Sequence, residues 1–371
     1  MLLEHIVGKE FGASCCSISY HVKGQPVYEQ LSGRASFALD APEITEDTLF
    51  NVGSVTKPVT SALIVKLAEL GLVSLHDSVQ RYIPEFKFAE VTLLQLLTHT
   101  SGLDGDIQVE WPKKGKRDAY LNTLYGIDYL RYAPDEANSY FTFGYSVLMD
   151  VLERVTGQSL EQFAQEQLFG PLGMRRSTFE PERVWASAGE EREDGTGRKP
   201  ATDVMQTDAA GSVPGGAAIK VLPLHQESLE PETQLDGLDV TGDSGLHSTA
   251  ADLMRFGRML LDGGRYEDRQ IFSGAATALM LREVTGGRFG RTPLFWKRTS
   301  RDLHGATNVD VHRCFSDFAS PEAMGHNGFS GCMFFLDPAW DAVGVILTNS
   351  RRLHSDGRNY AKLSNVLMSL A

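Results

Sequence analysis

Polar and apolar residues alternate along Ser17-Ile18-Ser19-Tyr20-His21-Val22 and again along Val27-Tyr28-Glu29-Gln30-Leu31, with Lys23-Gly24 between the two runs. A period of two broken by a glycine turn predicts a pair of strands folded as a hairpin. From about Val55 to Leu70 the period changes. Val59, Leu63, Ile64, Leu67 and Leu70 fall three or four residues apart, which predicts an amphipathic helix ending at Gly71. Helical signals continue to about residue 175. They cover Leu93 to Thr98, Gly144 to Val155, and a helix that opens on the capping box Ser159-Leu160-Glu161-Gln162 and stops at Gly170-Pro171.

Residues 180–243 are rich in Gly, Pro, Glu and Asp and keep no sustained period, so an irregular excursion is expected there. Thr249 to Leu261 predicts a further helix, closed by Gly263-Gly264. The tail returns to strands, Gly331 to Phe335 and Val343 to Leu347, around a turn at Asp337-Pro338. A last helix places Tyr360, Leu363, Leu367 and Leu370 on one face. Strands at both ends with helices between them point to an α/β protein with one mixed sheet built from both termini. The expected division is a discontinuous sheet domain, 1–60 and 245–371, interrupted by a mostly helical inserted domain over 61–244.

Composition narrows the class. The chain has 371 residues, 42% hydrophobic and 22% charged, a profile that excludes disordered and fibrous proteins. Its net charge of −13 opposes binding to a polyanion such as nucleic acid. The short basic run Lys113, Lys114, Lys116 and Arg117 is broken by Gly115 and lacks interleaved aromatics, so it reads as a solvated loop. No stretch approaches the roughly 18 apolar residues of a membrane span, and Met1-Leu2-Leu3-Glu4-His5 lacks the basic start of a secretion signal, so a cytoplasmic location is expected. Cys15, Cys16, Cys314 and Cys332 form neither a CxxC pair nor a disulfide scaffold. With no His-x-x-x-His and no Cys-pair ligand set, neither a metal nor another cofactor is expected.

The candidate chemistry lies at Ser54-Val55-Thr56-Lys57, the only Ser-x-x-Lys in the chain, where a strand-like segment turns through Gly53 into the first long helix. A serine at a helix start faces the positive end of the dipole, and a residue three positions on shares its face. Lysine there acts as a base only if uncharged, which requires burial or neighbouring positive charge. By itself the tetrapeptide is weak evidence, and an N-cap serine followed by a surface lysine is the plainer reading. A GxSxG nucleophile elbow is absent from the sequence.

The surrounding segments extend the pattern. They are Thr48 to Lys57; Leu94 to Leu103, reading LQLLTHTSGL; Tyr140-Phe141-Thr142 with Gly144-Tyr145 and Glu153 to Gly157; Pro171 to Met174; Gly245 to Thr249; and His326-Asn327-Gly328-Phe329-Ser330-Gly331. In these segments the sequence resembles the serine β-lactamase and penicillin-binding-protein superfamily, on the class C-like branch that also holds family VIII esterases and D-aminopeptidases. The resemblance implies a mainly antiparallel sheet flanked by helices, with an inserted all-helical domain. It implies Ser54 as the acylated nucleophile and Lys57 as the acceptor of its proton. Tyr140 stands at the Tyr of a Tyr-x-Asn element and would relay protons to the leaving group. His326-Asn327-Gly328 stands at a Lys-Thr-Gly strand element, and the backbone N–H groups of Ser54 and Phe329 would form the oxyanion hole. Gly328 would leave room for substrate along that strand. His99 and Asp252 are read as structural.

Two departures bear on substrate. Thr142 replaces the family Asn, which removes a side-chain amide that would hold an acyl amide. His326 replaces the family Lys, so the fixed positive charge that greets a β-lactam carboxylate is mostly absent at neutral pH. The expected function is therefore a metal-independent serine hydrolase of a small ester, amide or D-amino-acid peptide, with at most weak β-lactamase activity. The alternatives are a penicillin-binding sensor that acylates but barely turns over, and an acyltransferase using the same acyl-enzyme.

Overall fold

The computed structural model describes residues 12–181, 239–299, 303–304, 314–355 and 358–371. Most of the excursion expected at 180–243 lies outside the described residues. Among those described, six strands form one antiparallel sheet: β1 (Cys15–Val22), β2 (Gln25–Gly33), β3 (Trp296–Lys297), β4 (Met324–Gly328), β5 (Cys332–Asp337) and β6 (Ala342–Thr348), in the order β2-β1-β6-β5-β4-β3. The hairpin predicted from alternation is β1–β2, and Lys23 and Gly24 turn it with φ of 51° and 72°. Chain-terminal strands meet in the middle, since β1 pairs β6 from Cys16 opposite Thr348 to Val22 opposite Ala342.

Both faces of this sheet are buried. Cys332, Phe334, Leu336, Val343, Val345 and Leu347 point into the larger core, while Ile18, Tyr20, Met333, Phe335 and Ile346 point into a second core beside Tyr360, Leu363 and Leu367. Strands covered twice keep apolar residues at odd and even positions alike, which is why Met333-Phe334-Phe335 runs without a polar break. The last helix, Arg358–Met368, covers the second face; Leu370, expected on its apolar stripe, lies past its end and is half exposed. The first face receives the helix Ala250–Leu261, capped by Thr249, whose Oγ1 accepts from Asp252 N.

The helix expected from Val55 begins as one tight turn, Gly53–Val55, and continues as α1 (Thr56–Glu69). It is not amphipathic. Every residue from Thr56 to Leu67 is buried, because α1 is packed among other helices inside the larger core. Even Lys66 is enclosed, its Nζ donating to Ile271 O at 2.6 Å and pairing with Glu69. Helix α2 (Leu93–Thr98) packs against α3 (Gly144–Thr156), which in turn packs against α1. The helix opened by the Ser159 capping box does not stop at Gly170-Pro171. It widens into a π-helical turn, Gln165–Phe169, continues through Leu172 and ends on Gly173 at φ 67°. Pro171, at the start of that last helical turn, lacks an N–H that the turn does not require.

Candidate active site

The tight turn at Gly53–Val55 is braced from both flanks. Gly53 N donates to Asn51 Oδ1 (2.8 Å), Thr56 Oγ1 donates to Gly53 O (2.6 Å), and Thr56 Oγ1 in turn accepts from Leu246 N (3.1 Å). Gly53 holds φ 54°, a conformation most residues avoid. Ser54 therefore leaves the turn half-buried and is not an N-cap, since the turn has no side-chain cap hydrogen bond. One helical turn later Lys57 is fully buried, so the surface-lysine reading of Ser-x-x-Lys does not hold.

Three oxygens surround Lys57 Nζ: Ser54 Oγ at 3.0 Å, Thr142 Oγ1 at 2.9 Å and Asp243 O at 3.0 Å. An uncharged amine has two N–H bonds and one lone pair. With the N–H bonds directed to Asp243 O and Thr142 Oγ1, the lone pair is left for the Ser54 hydroxyl proton. Burial pushes the Lys57 amine down to about 7; the Asp243 carboxylate pulls it up and the Arg291 guanidinium pulls it further down. The segment that supplies Asp243 is fastened to α1 a second time by Thr60 Oγ1, which donates to Gly242 O (2.7 Å). The Asp243 carboxylate itself accepts from Trp111 Nε1 (2.9 Å), Ser146 Oγ (3.1 Å) and Ser244 Oγ (3.1 Å).

Tyr140 follows a two-residue strand, Asn138–Ser139, and its ring centroid lies 5.1 Å from Lys57 Nζ, with the Ser54 and Thr142 side chains favouring its ionised form. Burial raises its pKa, so it stands as a phenol at neutral pH. Its ring is wedged by His99 (centroids 4.3 Å apart), Trp296 (5.3 Å, edge-on) and His326 (6.2 Å). His326 is buried on β4 with Nδ1 2.8 Å from Asn327 O, and burial together with nearby Lys57 and Arg291 holds its pKa well below the ordinary histidine value. It is neutral at pH 7. Asn327 is tied elsewhere, its Nδ2 donating to Cys314 Sγ at 3.2 Å.

Backbone packing leaves no room for a side chain at Gly328. A Cβ there would lie 2.2 Å from Val52 O and 3.2 Å from Ser54 N; a Cβ on Gly53 would lie 3.2 Å from Phe329 N. The strand end and the serine turn thus pack backbone to backbone, which brings the Ser54 and Phe329 amides to the same rim. Ser54, Thr142 and Phe329 are the half-buried members of the set; Lys57, Tyr140 and His326 lie behind them. On β4, β3 pairs with Met324 and Gly325 and reaches no further, so the outer edge from His326 to Gly328 continues beyond it.

The structure brings Ser54, Lys57, Tyr140 and Thr142 into direct contact and sets His326, Gly328 and Phe329 around them. Sequence reasoning missed Asp243, which acts through a main-chain carbonyl that no side-chain pattern marks. It also missed Arg291, a lone cation in the apolar run Phe289 to Trp296. His99, read as structural, is a wall of the Tyr140 pocket. Asp252 bonds Arg176 N (2.8 Å), Ser177 Oγ (3.0 Å) and Arg255 Nη1 (2.8 Å), a packing role in keeping with its first-turn position. Among the described residues no group of three or more His, Cys, Asp or Glu side chains could hold a metal ion, and no helix is long and apolar enough to cross a membrane.

Comparison with known proteins gives a consistent picture. A family model described as Beta-lactamase matches residues 12–366. Penicillin-binding protein 4 of Amycolatopsis lactamdurans is 31% identical over 326 residues, covering 82% of this chain and 73% of the relative. An N-acetylmuramyl-L-alanine amidase of Bacillus subtilis is 25% identical over 328 residues, covering 82% and 68%. Among solved structures, EstCE1, described as a hydrolase with promiscuous acyltransferase activity, superposes with a TM-score of 0.68 at 20% identity over 98% of this chain and 96% of its own, a likeness of fold.

Proposed function

Since this chain belongs to the beta-lactamase family, we propose that it is a serine hydrolase working through an acyl-enzyme on Ser54, with a small ester, an amide or a D-amino-acid peptide as substrate. The observation that carries this reading is the buried Lys57 amine, 3.0 Å from Ser54 Oγ with its other two hydrogen-bond directions filled. As Oγ attacks the acyl carbon, its proton passes to Lys57 Nζ and the carbonyl oxygen gains charge facing the Ser54 and Phe329 amides. Collapse expels the alcohol or amine, which takes a proton from the Tyr140 phenol; Tyr140 is restored by the proton held on Lys57. Water then repeats the sequence against the acyl-enzyme and frees Ser54.

Weak action on β-lactams follows from the same residues. Neutral His326 offers a carboxylate no fixed charge, and Thr142 offers an acyl amide a hydroxyl that is already engaged by Lys57. A fluorophosphonate should add one adduct mass to the intact protein, mapped to Ser54, and Ser54→Ala should abolish both the adduct and p-nitrophenyl ester turnover. Turnover that survives Ser54→Ala would overturn the reading. Short esters, D-amino-acid amides and a chromogenic cephalosporin then rank the substrate classes, with the cephalosporin expected last.

A further inference from the structure

Among the described residues Arg291 is the largest side chain buried completely, and it has no part in the steps above. Its Nη2 donates to Leu97 O at 3.4 Å, and its guanidinium lies 5.1 Å over the Trp296 ring. Among the described residues no carboxylate lies within ion-pair distance of it. Burying a cation without a counter-ion is costly, and folds retain such a group where its field is used. Two aromatic contacts connect it to the amine. Trp296 stands edge-on to Tyr140, whose ring centroid is 5.1 Å from Lys57 Nζ; Leu97 O also accepts the Tyr145 hydroxyl (2.9 Å), and that ring lies 5.5 Å from the same Nζ.

We propose that Arg291 is a positioning residue whose guanidinium, sealed behind Tyr140, Tyr145 and Trp296, keeps Lys57 uncharged so that the amine can accept the Ser54 proton. The inference rests on the Ser54 acyl-enzyme reading. Among the described residues the groups around Lys57 are Asp243, whose carboxylate favours the ammonium, the neutral His99 and His326, and the two phenols, and Arg291 is the one guanidinium that acts on it. Arg291 remains charged at neutral pH, since burial lowers it only to about 10. It therefore repels a proton on Lys57 throughout the working range.

The test is the pH profile of kcat/KM for a p-nitrophenyl ester on the full chain. The wild-type profile should fall on the acid side near the Lys57 value of about 7. In Arg291→Met and Arg291→Gln the acid limb should move up by about one unit, a roughly tenfold loss at pH 6 with recovery at pH 9. In Arg291→Lys it should stay in place, and in Asp243→Asn it should move down. A purely structural role would lower the whole profile without moving the limb. An unmoved limb in either neutral variant overturns the proposal, as does a failure of both to fold while Arg291→Lys folds. Fluorophosphonate labelling separates the two levels: an unlabelled wild-type Ser54 defeats the acyl-enzyme reading, whereas a labelled Ser54 with an unmoved limb defeats the Arg291 assignment alone.

Discussion

Lys57 pays for its reactivity in stability. Its amine falls from an ordinary 10.5 to about 7 on folding, so between those two values the unfolded chain holds a proton that the folded chain does not. Stability should therefore rise with pH through that window; below about 7 both states hold the proton and the penalty is full. At 1.36 kcal/mol per unit the penalty is about 5 kcal/mol, against ~1–3 kcal/mol for the carbonyl of Asp243 left without a donor when the amine is removed. Lys57→Met should thus be more stable than wild type in denaturant titrations at pH 6.5, by ~2–4 kcal/mol, and should lose that advantage towards pH 10. Its ester turnover should drop ~10²–10⁴-fold. A stability difference that does not change with pH would show that burial of the amine is not what sets its proton affinity. At this scale the sequence was legible where a side chain itself carries the signal, as at Ser54, Lys57 and Tyr140. It was silent at Asp243, which contributes a backbone carbonyl, and at Arg291, whose apolar neighbours give a cation no pattern to belong to.

Element boundaries were readable wherever local chemistry writes them: Lys23-Gly24 in the first hairpin, Ser159 as a cap, Gly263 after the helix Ala250–Leu261, Gly71 after α1. What α1 faces was not readable. An amphipathic helix reports its exposed side as polar residues, and a helix enclosed from Thr56 to Leu67 has no such side to report. The contact between β4 and the serine turn was likewise invisible, because two main chains meeting have no side-chain signature. Gly328→Ala tests that contact. Its Cβ would stand 2.2 Å from Val52 O, so the turn must shift, and the acylation rate should fall by an order of magnitude or more. Gly257→Ala is the control. Its Cβ would stand 2.5 Å from Val343 Cγ1 where the helix Ala250–Leu261 lies on the sheet, and it should cost ~1–3 kcal/mol of stability while leaving the acylation rate of the folded protein alone. Equal loss of acylation in both variants would show that Gly328 matters only to packing.

The molecule carries a net charge of −13 around a site whose buried charges include Arg291, so surface and interior pull an anionic substrate in opposite directions. The surface field is screened by salt over about 10 Å at 0.1 M, whereas buried charges are screened far less. Raising ionic strength should therefore lower KM for an ester bearing a free carboxylate and leave KM for a neutral ester unchanged; an equal response of the two would exclude long-range repulsion. The sheet that supports the site joins residues far apart in the chain: β1 is sandwiched between its hairpin partner and β6, and Ser14 N donates to Asn349 Oδ1 (3.2 Å) across 335 positions. During synthesis, then, the first hairpin must wait until residues 342–348 have been made before its inner border is closed. A ribosome that stalls short of residue 342 would release a chain with an unzipped β1, ready to stitch onto a neighbour.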